Sequence, residues 1–161
     1  MVTDALARAR AAVCAVTDPE IPVLTIADLG VLRDIRIDGT SVEVTITPTY
    51  TGCPAMTVIA LDIETVLARV GFPQVRVVTT LTPAWTTDWL TEDGRRKLAA
   101  YGIAPPEPAA GRRALFGEPR PACPRCGSLS TEQISEFGST ACKSLHRCLA
   151  CREPFDAFKC H

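Results

Sequence analysis

The sequence predicts an α+β protein in two modules, a small sheet covered by helices followed by a cysteine-rich tail folded around metal. Three observations carry this expectation. Hydrophobic spacing alternates between helical and strand repeats in the order α-β-β-α-β-α. Prolines then crowd one segment, at Pro105, Pro106, Pro108, Pro119 and Pro121. Six of the eight cysteines lie beyond that segment, from Cys123 onward. The expected divisions are an α+β domain over residues 1–103, a Pro-rich linker over 104–122 and a zinc-ribbon-like metal-binding domain over 123–161.

The elements follow in chain order. Thr3 to Val16 is Ala-rich and helical, stopped by Asp18-Pro19. Val31–Ile37 and Val42–Thr47 read as strands, the second alternating Val42, Val44 and Ile46 with Glu43 and Thr45. Asp38-Gly39 between them is a hairpin turn signal. From Pro54 to Val70 the apolar residues Met56, Ile59, Ala60, Ile63, Leu67 and Val70 keep a 3.6-residue period, and Gly71 stops the helix. Val75–Leu81 is a third strand. Thr87–Tyr101 is a last helix, capped near Thr87 or Asp88 and ended by Gly102. Proline density from Ala104 to Ala122 fits neither helix nor central strand.

Composition narrows the function classes. The chain is 47% hydrophobic, enough for a core, and its 17 Lys+Arg against 18 Asp+Glu leave a net charge of −1. No broad basic field exists to hold nucleic acid or an anionic membrane. No apolar run approaches the roughly 18 residues of a membrane span. Asp4, Arg8 and Arg10 stand where a signal peptide needs an apolar stretch, so a cytoplasmic protein is expected, without nucleic acid or membrane as partner.

Two cysteine patterns carry the chemistry. Cys123-Pro124-Arg125-Cys126-Gly127 is a metal knuckle, and Cys148-Leu149-Ala150-Cys151 repeats its spacing. Together they supply four sulfurs for a tetrahedral ion, expected to be Zn²⁺; iron is the alternative for the same thiolates. So short a tail has too little apolar mass to fold unaided. Cys142, His146 and Cys160 are alternates for one of the four ligands; otherwise Cys142 and Cys160 read as small residues packing the ribbon.

Cys53 is the second pattern. Pro54 follows it at the head of the amphipathic helix, so Cys53 sits at or beside the N-cap. Free N–H groups and the helix dipole there favour thiolate, as a metal ligand or nucleophile needs. A small thiol packed under the strand end is the competing reading. No C-x-x-C partner and no local base accompany Cys53, so an autonomous Cys enzyme lacks support, and no catalytic centre is expected. Asp18, Glu20 and Asp28 read first as turn and cap residues, and otherwise as groups that help Cys53 hold metal transiently.

Two resemblances add to this. Asp18-Pro19-Glu20-Ile21 through Asp28-Leu29-Gly30-Val31, followed by Thr51-Gly52-Cys53-Pro54, resembles the SufT-like domain of iron–sulfur and metal-cluster assembly factors, over residues 5–82. Pro83-Ala84-Trp85-Thr86-Thr87-Asp88-Trp89, Phe137-Gly138-Ser139-Thr140-Ala141-Cys142-Lys143 and Glu153-Pro154-Phe155-Asp156 resemble the PaaD (PaaJ) family, accessory subunits of bacterial phenylacetyl-CoA epoxidase. The resemblance implies an accessory protein of aerobic phenylacetate catabolism that assists assembly of the di-iron or iron–sulfur centre of an epoxidase component. A non-catalytic structural subunit of the complex is the alternative. The functional thiol it implies is Cys53, transiently holding iron or an iron–sulfur cluster, with Asp18, Glu20, Asp28 and Thr51 as supporting polar residues. Implied partners are the oxygenase or reductase component, the iron–sulfur assembly machinery and a second copy in a homodimer. The same resemblance places Cys142 and Cys160 inside recurrent family strings.

Overall fold

The computed structural model describes residues 2–106 and 120–159. They form two compact units that divide between Trp85 and Thr86.

In the first unit, α1 (Val2–Cys14) packs against the strand β1 (Leu32–Asp38) and the helix α2 (Ala55–Arg69). The expected stop at Asp18-Pro19 comes later than the helix end. After Cys14 the chain runs as turns in which Ile21, Leu24, Ile26 and Leu29 are buried. This stretch is part of the core because its backbone groups pair internally: Asp18 N–H donates to Leu24 O at 2.9 Å and Ile26 N–H to Val16 O at 2.9 Å.

The hairpin forms where expected. β1 runs antiparallel to β2 (Ser41–Ile46), with Gly39 at φ 61° in the turn between them. Val42, Val44 and Ile46 point to the buried face, as their alternation demands. The helix α2 then crosses over and delivers β3 (Gln74–Thr79) parallel to β2, giving the order β1-β2-β3. Ala55, Ile59, Ile63 and Leu67 form the buried stripe of α2. Gly71 takes φ 94° just after the helix, and Phe72 N–H returns to Leu67 O at 3.0 Å. Leu81, expected inside the third strand, lies beyond it and is exposed. Trp85 is buried and donates its indole N–H to Leu29 O at 2.8 Å, tying the end of this unit to its loop core.

The second unit opens differently from the sequence expectation. Thr87–Tyr101 is not one helix. A single 3-10 turn, Thr87–Trp89, comes first, with Thr86 Oγ1 accepting from Asp88 N. Leu90 is extended, and α3 (Glu92–Tyr101) starts afresh with Thr91 Oγ1 accepting from Gly94 N at 3.0 Å. Thr91 wins the cap because its side chain satisfies an N–H that Thr87 or Asp88 would leave unpaired. Gly102 at φ 90° ends the helix.

Ala104, expected to open the linker, is instead a strand residue. Ile103–Ala104 form β4, parallel to β7 (Pro154–Phe158). The sheet continues through β6 (Lys143–Cys148) to β5 (Thr131–Ser135), in the order β4-β7-β6-β5. Thus α3, expected to complete the first domain, belongs to the second compact unit, as does β4. Arg95 secures them by donating to Thr87 O at 2.9 Å and to Pro106 O. One small apolar cluster here joins Ala104, Cys123, Cys148, Phe155 and Ala157. Most of the Pro-rich stretch lies outside the described residues.

Ile63 is fully buried on α2. Ile63→Ala is expected to destabilise the first unit by about 2–5 kcal/mol, read from the denaturant midpoint of the intact chain.

Candidate functional site

The two knuckles are built alike. Cys123 N–H donates to Ser128 O at 3.0 Å, and Cys148 N–H donates to Glu153 O at 2.9 Å. Each turn folds its pair of sulfurs toward the other. Among the described residues, the Sγ atoms of Cys123, Cys126, Cys148 and Cys151 form a group lying within 4.8 Å of one another. Cys123 and Cys151 sulfurs are 3.7 Å apart, and those of Cys126 and Cys148 are 3.6 Å apart. A tetrahedron of thiolates at the usual zinc–sulfur distance has edges of about 3.8 Å. The donor set therefore fits a tetrahedral metal ion of that size.

The charges agree with the geometry. Backbone N–H groups of Cys151 and Ala150 aimed at Cys148, with help from the Cys126 and Cys151 thiols, outweigh burial and hold the Cys148 thiol down to about 6. At Cys151 the Glu153 N–H favours thiolate, but burial and the three neighbouring sulfurs overcome it and push that thiol up to about 12. Four sulfurs this close cannot all ionise beside one another without a cation to offset their repulsion.

The alternates fall elsewhere. His146 is buried on β6, stacked on Phe155 with ring centroids 5.6 Å apart, and its Nε2 is 2.9 Å from Ser144 Oγ. Burial pushes its pKa down despite the nearby Asp156 carboxylate. Cys142 is buried with Sγ 3.0 Å from Thr140 Oγ1. Neither joins the four-sulfur group. Cys160 lies outside the described residues.

The string from Phe137 to Lys143 has a packing reason. It turns tightly against β7: Ser139 Oγ donates to Asp156 Oδ2 at 2.7 Å, and the buried Lys143 ammonium stands 3.9 Å from the same oxygen. Any side chain at Gly138 would run into the Asp156 carboxylate.

In the first unit, Cys53 sits one position ahead of Pro54, the N-cap residue of α2. Gly52 at φ 81° makes the turn before it, and Cys53 N–H donates to Tyr50 O at 3.3 Å. Here the sequence expectation is corrected. The thiol is pushed up from its ordinary 9.0, not down: burial dominates, and the Glu20 and Asp18 carboxylates add to it. The Ala55 N–H and the Tyr50 hydroxyl oppose the shift without reversing it. Cap dipoles do act on Cys53, but half-burial beside two acids outweighs them.

Asp18 and Glu20 thus lie within electrostatic reach of Cys53, as the metal-holding reading needs. Asp18 also serves its turn, accepting from Glu20 N at 2.8 Å and Ile21 N at 2.9 Å. Asp28 and Thr25 cap each other reciprocally, Asp28 Oδ2 accepting from Thr25 N and Thr25 Oγ1 from Asp28 N, both at 3.0 Å. Thr51 is exposed on the loop before Cys53. Two residues escaped the sequence reading. Tyr50 acts on the thiol, and the only hint was its place three positions ahead of Cys53. Thr47, just past β2, is 1% exposed, and its Oγ1 is a buried polar side-chain atom left without a hydrogen-bond partner among the described residues.

Fold and cysteine geometry together define a class, a small α+β domain with a half-buried thiol joined to a four-cysteine metal-binding ribbon. Residues 6–80 match the family of iron–sulfur cluster assembly proteins, and residues 107–159 match the PaaD zinc β-ribbon domain. The crystal structure of a domain of unknown function, DUF59, from Bacillus anthracis superposes with a TM-score of 0.56 at 25% identity, covering 60% of this chain and 92% of that one. A protein of Escherichia coli (strain K12), described as a component of 1,2-phenylacetyl-CoA epoxidase, is 52% identical over 145 residues, 90% of this chain and 87% of its own length. The chain belongs to this PaaD family of phenylacetyl-CoA epoxidase subunits. No helix among the described residues is long and apolar enough to cross a membrane.

Two outcomes follow. Chelation, or Cys148→Ser, should release one metal ion per chain and collapse the ribbon while the first unit stays folded, read by elemental analysis and by amide dispersion in NMR spectra. Cys53 should alkylate at pH 7 more slowly than free cysteine and accelerate as pH rises past 9, because a raised thiol pKa leaves less thiolate at neutral pH. Peptide mapping by mass spectrometry separates its modification from that of the exposed Cys126 and Cys151.

Proposed function

We propose that this chain is a cytoplasmic accessory protein of the phenylacetyl-CoA epoxidase system that assists assembly of the di-iron or iron–sulfur centre of an epoxidase component. The observation that carries the proposal is the union of an iron–sulfur assembly domain and a PaaD zinc ribbon in one chain, 52% identical to a protein described as part of that epoxidase. The Cys53 thiol is the transient holder of iron or of a cluster. Asp18 and Glu20 favour a cation beside it by the same negative charge that disfavours a bare thiolate. A cation arriving there displaces the thiol proton, and sulfur becomes its ligand.

The tail has a different task. Its four cysteines hold Zn²⁺, which supplies no redox chemistry and serves as the tetrahedral staple of the ribbon. The stapled ribbon is a rigid recognition module for the oxygenase or reductase component. No catalytic step is assigned to the chain, because Cys53 has neither a neighbouring base nor a second cysteine in sequence. A purely structural role in the epoxidase has one feature in its favour, the burial that disfavours the thiolate form of Cys53.

One experiment separates the two readings. Co-expression of Cys53→Ser with the epoxidase components should leave them poor in iron and lower epoxidase activity tenfold or more, while the ribbon keeps its metal. Full iron loading and normal activity would sink the role given to Cys53 and leave the structural reading.

A further inference from the structure

The two knuckles share their turn geometry but not the residue that completes it. The position after the second cysteine is Gly127 in the first knuckle, at φ 74°, and Arg152 in the second, at φ 67°. Both φ values lie in the left-handed region, where glycine is at ease and a side chain is strained by its Cβ. Arg152 is the one positive-φ non-glycine residue among the described residues. The turn itself asks for glycine, so folding alone does not explain an arginine there.

Nor does a hydrogen bond or ion pair among the described residues explain it. Among the described residues Arg152 has no hydrogen bond or ion pair. The other two arginines of the ribbon do: Arg125 pairs with Glu153 at 2.6 Å, and Arg147 with Glu132, its Nε at 2.8 Å. Glu153, the carboxylate next to Arg152 in sequence, is thus turned to Arg125. The second knuckle and the loop bonded to it also carry two exposed leucines. Leu149 is 40% exposed in the same knuckle, and Leu129 is 66% exposed on the adjoining loop, where Leu149 N–H donates to Ser130 O at 2.8 Å.

From these placements we infer that the second knuckle is a docking surface, on which Arg152 takes a carboxylate and Leu149 and Leu129 take apolar side chains of a partner protein. The partner is an epoxidase component, so the inference rests on the proposed function and names the contact that function requires. A strained backbone site kept for a solvent-facing cation is the sort of position where stability is given up for recognition. Carboxylate is the complementary charge, because arginine meets it with two parallel hydrogen bonds and leucines exclude water around them.

A competing role for Arg152 is to offset the negative charge of four thiolates around a divalent ion. The test separates them. Arg152→Gly, Arg152→Lys and the wild-type chain are each titrated against the purified oxygenase and reductase components, with metal content and thermal midpoint measured in parallel. The expected result is that Arg152→Gly keeps its metal and a midpoint no lower than wild type, yet binds a component at least tenfold more weakly, with Arg152→Lys in between. Metal loss in Arg152→Gly would overturn the docking role in favour of the electrostatic one. Equal binding by Arg152→Gly and wild type would overturn the docking role alone. A wild-type chain that binds neither component would overturn the proposed function and this inference with it.

Discussion

Four sulfurs within 4.8 Å of one another form the constraint on which the second unit depends. Thiolates at that spacing repel, and only a shared cation turns the repulsion into cohesion. Two of the four, Cys123 and Cys148, are also members of a buried apolar cluster with Ala104, Phe155 and Ala157. Ligand field and hydrophobic core are therefore one object in the ribbon. The short strand β4, the sheet β5 to β7 and the turn at Gly138 are arranged around it, and so small a core would not hold them alone.

The first unit meets the opposite balance. Its core is ample, with Ile21, Leu24, Ile26, Ile59, Ile63 and Leu67 buried, and its fold asks nothing of a metal. Its thiol, Cys53, lies at the margin of that core beside carboxylates. Helix-terminus dipoles and burial compete there, and burial wins because a half-buried thiolate loses much of its hydration, while the cap offers one amide. The result is a thiol that holds its proton until a cation replaces it. Such a group suits conditional ligation better than nucleophilic attack.

Legibility divided along the same physical line. The α2 stripe, the Val42–Ile46 alternation and the two C-x-x-C pairs were visible because each signal is local, a period or a spacing within a few residues. The buried loop from Asp18 to Leu29 was not. Its apolar residues follow neither repeat, and they are core only because other elements close over them. The start of the last helix is not legible locally, because Thr91 and Thr86 both offer side-chain caps and their competition depends on the extended backbone at Leu90. Nothing in Ile103–Ala104 marks a strand; pairing with β7, about fifty residues on, makes it one.

The sequence by itself determined the α+β class, the order of the first five elements, the four clustered sulfurs and the candidacy of Cys53, since all of these rest on near-neighbour chemistry. Tertiary structure alone decided that α3 and β4 belong with the ribbon, that Cys142 and His146 stand apart from the metal cluster, and that Tyr50, Asp18 and Glu20 act together on Cys53. It also decided that Arg152, one letter among seventeen basic residues, occupies a glycine's backbone without an internal partner among the described residues. Backbone torsion, burial and the distance between residues remote in sequence exist only once the chain has folded.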